Sequence, residues 1–202
     1  MKLLIALFAL MLLTVGSASA APQTHQVYVN TSAVAGQSGY LEFQFNPGNN
    51  AQSAFAQLLS FETSGGSLTG APATAGDVTG ALPGTVTLGN SFSWNDYFQG
   101  FNFGNSIHFT FLLDGPAVSS PNGTAGGGSD FGFSMFAADQ FTPLLTNNPS
   151  GLAMTAALRT DGSTALNYGP STSPVPEPST VLLLGLGMAG AALWRKKSNR
   201  NP

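Results

Sequence analysis

The sequence predicts an all-β protein, a single antiparallel β-sandwich of jelly-roll-like type, between two short apolar segments. Apolar and polar residues alternate along several stretches of residues 21–174, and this period of two is typical of strands with one buried face. Turn residues separate the stretches at the short spacing of sandwiches. We therefore expect the β-sandwich body over residues 21–170, followed by a linker over residues 171–175.

Residues 1–20 have the three-part layout of a secretory signal peptide. Lys2 precedes an unbroken apolar run over residues 3–13, and Ala18 and Ala20 supply small residues just before Ala21. We expect signal peptidase to cut between Ala20 and Ala21, which places the mature chain outside the inner membrane. A retained N-terminal anchor is the alternative.

The clearest strands are GYLEFQFNPG, SIHFTFLLDGP and DFGFSMF, with shorter candidates in HQVYVN and GTVTLGN. The stretch GLAMTAALRTDGSTALNY is typical of a hairpin that turns at Asp161-Gly162. The alternation predicts a core that includes Phe43, Phe45, Phe109, Phe111, Phe133 and Leu152.

The stretch AQSAFAQLLSF fits two patterns. Its apolar residues recur at helical spacing, yet Phe55, Gln57, Leu59 and Phe61 also alternate. We favour a strand because the alternation continues beyond Phe61 and glycines flank the segment.

Charge and cysteine content exclude several classes of protein. Residues 21–174 contain eight carboxylate side chains and one arginine, a net charge of −7, so nucleic acid is not an expected partner. Without cysteine, the chain has no disulfide and no thiolate for a metal or a nucleophile. We expect no cofactor.

No motif indicates an enzyme. The two histidines, His25 and His108, lie in no metal-binding or catalytic spacing, and no nucleophile elbow accompanies Ser119 or Ser134. We expect His108 on a solvated strand face. Glycoside hydrolysis would need two nearby carboxylates, for which the sequence offers Asp130 with Asp139 or Glu42 with Glu62.

Two binding sites are candidates. Loop aspartates could supply oxygen ligands for calcium, namely Asp114, Asp130 and Asp139, although turn aspartates usually hydrogen-bond their own backbone. The stretch SFSWNDYFQGFNFG carries Trp94, Tyr97 and Phe98 among amide side chains, a composition that suits carbohydrate contacts. The alternative is that these rings fill the core.

The C-terminal stretch combines three physical features. Pro176 and Pro178, on either side of Glu177, favour extended backbone. Residues 181–194 carry no charge and would span roughly 21 Å as a helix, against about 30 Å for a bilayer core. The basic residues Arg195, Lys196 and Lys197 follow. This predicts a short transmembrane helix whose basic tail stays in the cytoplasm.

The order of these features resembles the PEP-CTERM sorting signal of Gram-negative bacteria, here over residues 176–200. In that family exosortase, a multi-pass membrane protease, recognises the tail, and the cargo passes to the surface or to an exopolysaccharide matrix. The body stretches NTSAVAGQSGYLEFQFNPG, LPGTVTL, NDYFQGF and GPAVSSPNGT are similar to an uncharacterised family of PEP-CTERM proteins. The resemblance implies one domain and no particular activity.

These observations together predict an exported, non-enzymatic surface or matrix protein. Its expected partners are signal peptidase, an exosortase-type protease, the inner membrane transiently, and an exopolysaccharide. The alternative function is a lectin-like carbohydrate-binding module delivered by the same route, and a secreted hydrolase is the less favoured third.

Overall fold

The computed structural model describes residues 21–123 and 127–175. The predicted signal peptide, sorting tripeptide, transmembrane helix and basic tail lie outside these described residues. The described chain is all-β, with two antiparallel sheets of six strands each, which confirms the predicted fold class at that level. Within residues 21–123 and 127–175, no helix is both long and apolar enough to cross a membrane.

The described strands alternate between the two sheets along much of the chain. In chain order they are β1 (Gln23–Asn30), β2 (Ser38–Pro47), β3 (Phe55–Ser64), β4 (Ser67–Ala75), β5 (Val78–Gly80), β6 (Val86–Gly89), β7 (Asp96–Asn102), β8 (Ser106–Asp114), β9 (Ser129–Ala137), β10 (Leu152–Leu158), β11 (Thr164–Tyr168) and β12 (Thr172–Pro174). Sheet A has the order β12-β1-β8-β3-β6-β5, and sheet B has the order β11-β10-β9-β2-β7-β4. A four-residue helix, α1 (Pro116–Ser119), follows β8.

Phenylalanine rings from both sheets form a common core. Phe43 of sheet B meets Phe109 of sheet A edge to face, with ring centroids 5.3 Å apart. Phe111 of sheet A stacks on Phe131 of sheet B at 4.5 Å. Such aromatic pairs add about 0.5–1.5 kcal/mol each beyond the area they bury. The predicted core positions Phe43, Phe45, Phe109, Phe111 and Phe133 are all buried.

Leu152 was predicted to lie in the core, and the structure contradicts this prediction. The register of β10 against β9 shifts between Leu152 and Met154, so Ala153 and Met154 are both buried while Leu152 is only half-buried. A β-bulge places one extra residue in the strand, so the side chains before the bulge point to the opposite face of the sheet from the one that simple alternation predicts. A Cβ added to Gly132 would lie 2.8 Å from Leu152 Cδ2, so Leu152 packs over the outer side of β9.

The ambiguous stretch around Phe55 is a strand, as favoured, but its alternation is also broken by a bulge. β3 pairs with β8 in one register up to Leu58 and in a shifted register from Ser60. Ala56 and Leu58 are therefore buried before the bulge and Phe61 after it, while Leu59 is 40% exposed. Phe55, Gln57 and Leu59, which the sequence pattern grouped together, therefore lie on the outward face of β3.

Two further predictions concern the hairpin and the linker in the last part of the described residues. The predicted hairpin is present: β10 pairs with β11, and Gly162 in the turn has φ 80°, where a side chain would be strained. Residues 171–175, predicted as a linker, instead contain β12, which pairs with β1 at the edge of sheet A. The folded body therefore continues to the start of the predicted sorting signal.

Candidate functional site

The outer face of sheet B brings together polar and aromatic side chains from three adjacent strands, β9, β2 and β7. Strand alternation turns Phe43 and Phe45 into the core and Glu42 and Gln44 outward. In the strand register, Glu42 lies opposite Ser134 of β9. On the other side of β2, Gln44 lies opposite Asp96 of β7.

Glu42 and Asp96 form a carboxyl pair at the centre of this face. Burial raises the pKa of the Asp96 carboxyl to about 7, and the neighbouring Glu42 charge adds to the shift. Burial also raises the pKa of Glu42, opposed by hydrogen bonds from Ser134, Asp96 and Gln44. The two carboxyl groups therefore interact with each other, and the interaction favours the protonated form of Asp96.

A ladder of amide side chains extends from this pair along β2. Gln44 Nε2 donates to Glu42 Oε2 at 3.3 Å, and Asn46 Nδ2 donates to Gln44 Oε1 at 2.8 Å. Asn46 Oδ1 in turn accepts from the backbone N–H of Asn95 at 2.7 Å. These bonds orient the Glu42 carboxylate, since each amide is held by the next.

Asn95 anchors the end of the ladder. It is fully buried, and its Nδ2 donates to the carbonyls of Phe45 at 3.0 Å and Phe92 at 2.8 Å. Its Oδ1 accepts from the N–H of Asp77 at 2.8 Å. The sequence reasoning missed Asn95, because an asparagine in a polar loop carries no signal that it will be buried.

Three half-buried aromatic rings lie on the same outer face. Tyr40 and Phe98 stack with ring centroids 4.7 Å apart and an interplanar angle of 14°. Phe98 also packs against Phe136 at 6.2 Å. The face thus combines apolar ring surface with amide donors and a carboxyl pair. These groups are spread over a length of about 20 Å along β2, at 3.4 Å per residue.

The three predicted carbohydrate-contact residues are separated by the structure. Phe98 lies on the outer face described above, and Trp94 is 50% exposed in the loop before β7. Tyr97 is fully buried, and its hydroxyl accepts from the N–H of Leu82 and donates to Gln99 Oε1. The prediction for Tyr97 is therefore wrong, because successive residues of a strand point to opposite faces. For Trp94 and Phe98 it stays a prediction.

The predicted calcium ligands are not brought together. Asp114 ends β8 and accepts from the N–H of Gly115 at 2.6 Å. Asp130 and Asp139 lie at opposite ends of β9, roughly 30 Å apart at 3.4 Å per residue. Hydrogen bonds from Thr142 and from the backbone lower the pKa of Asp139. In the described residues, no group of three or more histidine, cysteine or acidic side chains could hold a metal ion.

The carboxylate pairs suggested for glycoside hydrolysis do not form either. Glu42 lies on the outer face of sheet B, whereas Glu62 lies on β3 of sheet A, opposite His108. The partner that Glu42 does have, Asp96, is 54 positions away in the sequence. Only the pairing of β2 with β7 makes the two neighbours, and a single sequence does not contain that register.

His108 lies on the exposed outer face of sheet A, as predicted. Its ring meets Tyr28 edge to face at 4.7 Å. Ser134 lies on the outer face of the other sheet and Ser119 lies in α1. A serine–histidine pair that involves His108 and Ser134 is therefore excluded by the two sheets between them.

Comparison with known proteins identifies the C-terminal stretch. A family model described as the PEP-CTERM protein-sorting motif matches residues 174–197, which include the proline–glutamate–proline tripeptide, the apolar run and the first basic residues. No curated protein and no solved structure matches the chain. The motif marks an exported protein that is targeted to exosortase for membrane-associated processing. The chain therefore carries a PEP-CTERM protein-sorting motif over residues 174–197.

Proposed function

We propose that this protein is a non-enzymatic component of the cell surface or of an exopolysaccharide matrix, exported by a cleaved signal peptide. The sorting motif over residues 174–197 is the observation that carries the proposal. In the precursor the basic tail stays in the cytoplasm, the segment 181–194 crosses the inner membrane, and the body lies outside. Exosortase then processes the tail.

The position of the two described ends supports this topology. β1 begins at Gln23, close to the proposed cleavage site, and β12 ends at Pro174, where the sorting motif begins. These strands are antiparallel neighbours, so the chain leaves β12 toward the start of β1. Both membrane segments of the precursor therefore leave from one corner of sheet A and can enter the same membrane without distorting the body.

The finer assignment of the fold is a β-sandwich of jelly-roll type. A jelly roll is a long hairpin of eight strands wrapped into two sheets. Its expected pairings are present for β1 with β8, β2 with β7 and β3 with β6. β4 and β5, which lie between β3 and β6 in the chain, belong to different sheets and pair with β7 and β6 instead of with each other. β9 to β12 extend the two sheets at one side.

The absence of catalysis is proposed from the geometry of the carboxyl pair. The side chains of Glu42 and Asp96 are direct neighbours, whose interaction raises the pKa of Asp96. Glycosidases hold their two carboxyl groups about 5 Å or more apart, so that the sugar and a nucleophile or water fit between them. This pair is too close for that chemistry.

A test of the export proposal follows from the tripeptide. Replacement of Pro176, Glu177 and Pro178 by alanine should trap the full-length chain in the inner membrane of a host that encodes exosortase. Cell fractions are compared by immunoblot with the unmodified protein. As a control, alanines at Ser198, Asn199 and Asn201, beyond the matched motif, should leave release unchanged. Equal release of the tripeptide variant would refute the proposal.

A second candidate function, carbohydrate binding by the outer face of sheet B, is favoured by the Tyr40–Phe98 stack beside the carboxyl pair. Ring faces bind the apolar side of sugars, while amides and a protonated carboxyl group bind their hydroxyls. Binding to a panel of neutral polysaccharides should weaken about 2- to 10-fold in Phe98→Ala, as expected for the loss of one ring contact. Tyr28→Ala, on the outer face of sheet A, is the matched control. Unchanged binding in Phe98→Ala would exclude this face.

A further inference from the structure

The turn that follows β9 holds a phenylalanine ring out in water. Among the large hydrophobic side chains of the described residues, Phe141 is the most exposed, at 83%. Its backbone is nevertheless fixed. Asp139 Oδ1 accepts from the N–H groups of Phe141 at 3.0 Å and Thr142 at 2.9 Å, and Thr142 Oγ1 donates to Asp139 Oδ2 at 2.5 Å. The N–H of Ala137 donates to Thr142 O at 2.9 Å. The turn therefore presents an exposed ring on a held backbone.

The same turn is tied to the outer face of sheet B. Gln140 Nε2 donates to the hydroxyl oxygen of Tyr40 at 3.1 Å. Tyr40 stacks on Phe98 and lies opposite Phe136 in the strand register. Because Phe141 directly follows Gln140, it extends this group of rings beyond the end of β9. We call the four rings, Tyr40, Phe98, Phe136 and Phe141, the aromatic strip.

The charges around the aromatic strip restrict what it can bind. Residues 21–174 carry a net charge of −7, and Glu42 lies opposite Phe98 in the register of β2 with β7. An anionic polymer is repelled by this charge, and a second copy on the same face would bring two carboxyl pairs together, which is costly. A neutral chain with apolar ring faces and hydroxyl groups meets neither penalty and suits both the rings and the amide side chains.

We propose that Phe141 is a second ring contact of the carbohydrate-binding face, and that this face takes an internal stretch of a neutral polysaccharide chain. One sugar ring lies on the stack of Tyr40 and Phe98, and another, further along the chain, lies on Phe141. Asp139 is a positioning residue: it touches no sugar but holds the turn in place beforehand, which reduces the ordering cost of binding. The inference rests on the second candidate function, carbohydrate binding by the outer face of sheet B.

Chain length and the Phe141 ring are tested together. The probes are neutral hexasaccharides of glucose, galactose or mannose and the matching disaccharides, titrated calorimetrically into the full chain in mild detergent. The best-bound hexasaccharide should bind more tightly than its disaccharide, and Phe141→Ala should reduce this advantage about 2- to 10-fold, the loss of one ring contact. Leu59→Ala removes an exposed apolar side chain from the outer face of sheet A and should leave both affinities unchanged.

The positioning role of Asp139 is tested by a double-mutant cycle. Asp139→Ala should weaken hexasaccharide binding when Phe141 is present and have little further effect in Phe141→Ala, because the two residues act through one contact. Asp139→Asn keeps an oxygen for the two backbone N–H groups and should bind nearly as the unmodified chain does. An equal loss from Asp139→Ala in both backgrounds would reflect a general structural effect and would overturn the positioning role.

The outcomes separate this inference from the function on which it rests. Unchanged hexasaccharide binding in Phe141→Ala, with a loss in Phe98→Ala, overturns the inference and leaves carbohydrate binding by the face in place. Unchanged binding in both variants, or no binding of any probe, overturns both. A change in self-association of Phe141→Ala, measured by sedimentation, without a change in saccharide binding would make a second copy the occupant. Thermal unfolding should be the same in Phe141→Ala as in the unmodified chain, because the ring packs on little else.

Discussion

The Asp96 carboxyl group shows how one strand register sets the chemistry of a residue. In the unfolded chain its pKa is near 3.8, and in the folded protein it is about 7. At pH values between these two pKa values, the native state binds more protons than the unfolded state. The free energy of unfolding therefore falls as pH rises through this range. Stability from this group is fully present below about pH 4 and lost near pH 7.

We therefore predict that Asp96→Asn flattens the decline in stability between pH 4 and pH 8 and makes the protein more stable than the wild type at pH 8. Urea unfolding followed by circular dichroism at several pH values measures this effect. Asp139→Asn is the control: hydrogen bonds from Thr142 lower the pKa of Asp139, so it contributes no decline in that range. A wild-type slope retained in Asp96→Asn would contradict the assignment.

A second residue-scale prediction concerns the core. Phe111 is fully buried and stacks on Phe131 across the two sheets, so Phe111→Ala should lower the free energy of unfolding by about 3–5 kcal/mol. Phe92 is 60% exposed, and Phe92→Ala should change it by less than about 0.5 kcal/mol. Equal effects of the two substitutions in urea unfolding would argue against the buried position of Phe111.

At the scale of strands, the loops that connect the sheets depend on a few buried polar residues. Asn95 satisfies the N–H of Asp77 and the carbonyls of Phe45 and Phe92. Asn95→Ala leaves one buried group, the Phe45 carbonyl, and two partly buried groups without this partner, and should cost about 2–4 kcal/mol. Asn102→Ala is the control, because Asn102 is exposed and bonds only serine hydroxyls at the surface. Its cost should stay below about 1 kcal/mol. A similar cost for both variants would remove the special role of Asn95.

Strands with uninterrupted alternation were predictable, and strands with bulges were predictable only in part. β2 and β8 alternate without a break, and their inward residues Phe43, Phe45, Phe109 and Phe111 are all buried. The bulges in β3 and β10 moved Leu59 and Leu152 away from their expected faces. A bulge depends on the fit to the partner strand, and this information is absent from the local pattern.

Pairings between distant strands account for most of what the sequence did not indicate at the candidate site. Phe98 and Trp94 were identified from composition, but Tyr40, Phe136 and Asp96 join Phe98 and Glu42 only through the order β9-β2-β7. The sorting motif was predictable because its signal is contiguous. Its proline, apolar and basic parts follow one another within residues 174–197, so no tertiary contact is needed to recognise it.

For the whole molecule, the two terminal signals make one joint prediction: the released protein begins at Ala21 and lacks residues 181–202. The small residues Ala18 and Ala20 suit signal peptidase, so we expect the first cut directly after them. A permanent anchor would favour a longer span, since roughly 20 apolar residues match a bilayer, whereas residues 181–194 are fewer and contain Gly185, Gly187 and Gly190. Mass spectrometry of both termini, on protein from the surface or the medium, measures the outcome. A released form that keeps Met1 would contradict the first cut. One that keeps Arg195, Lys196 and Lys197 would leave the segment as a simple anchor.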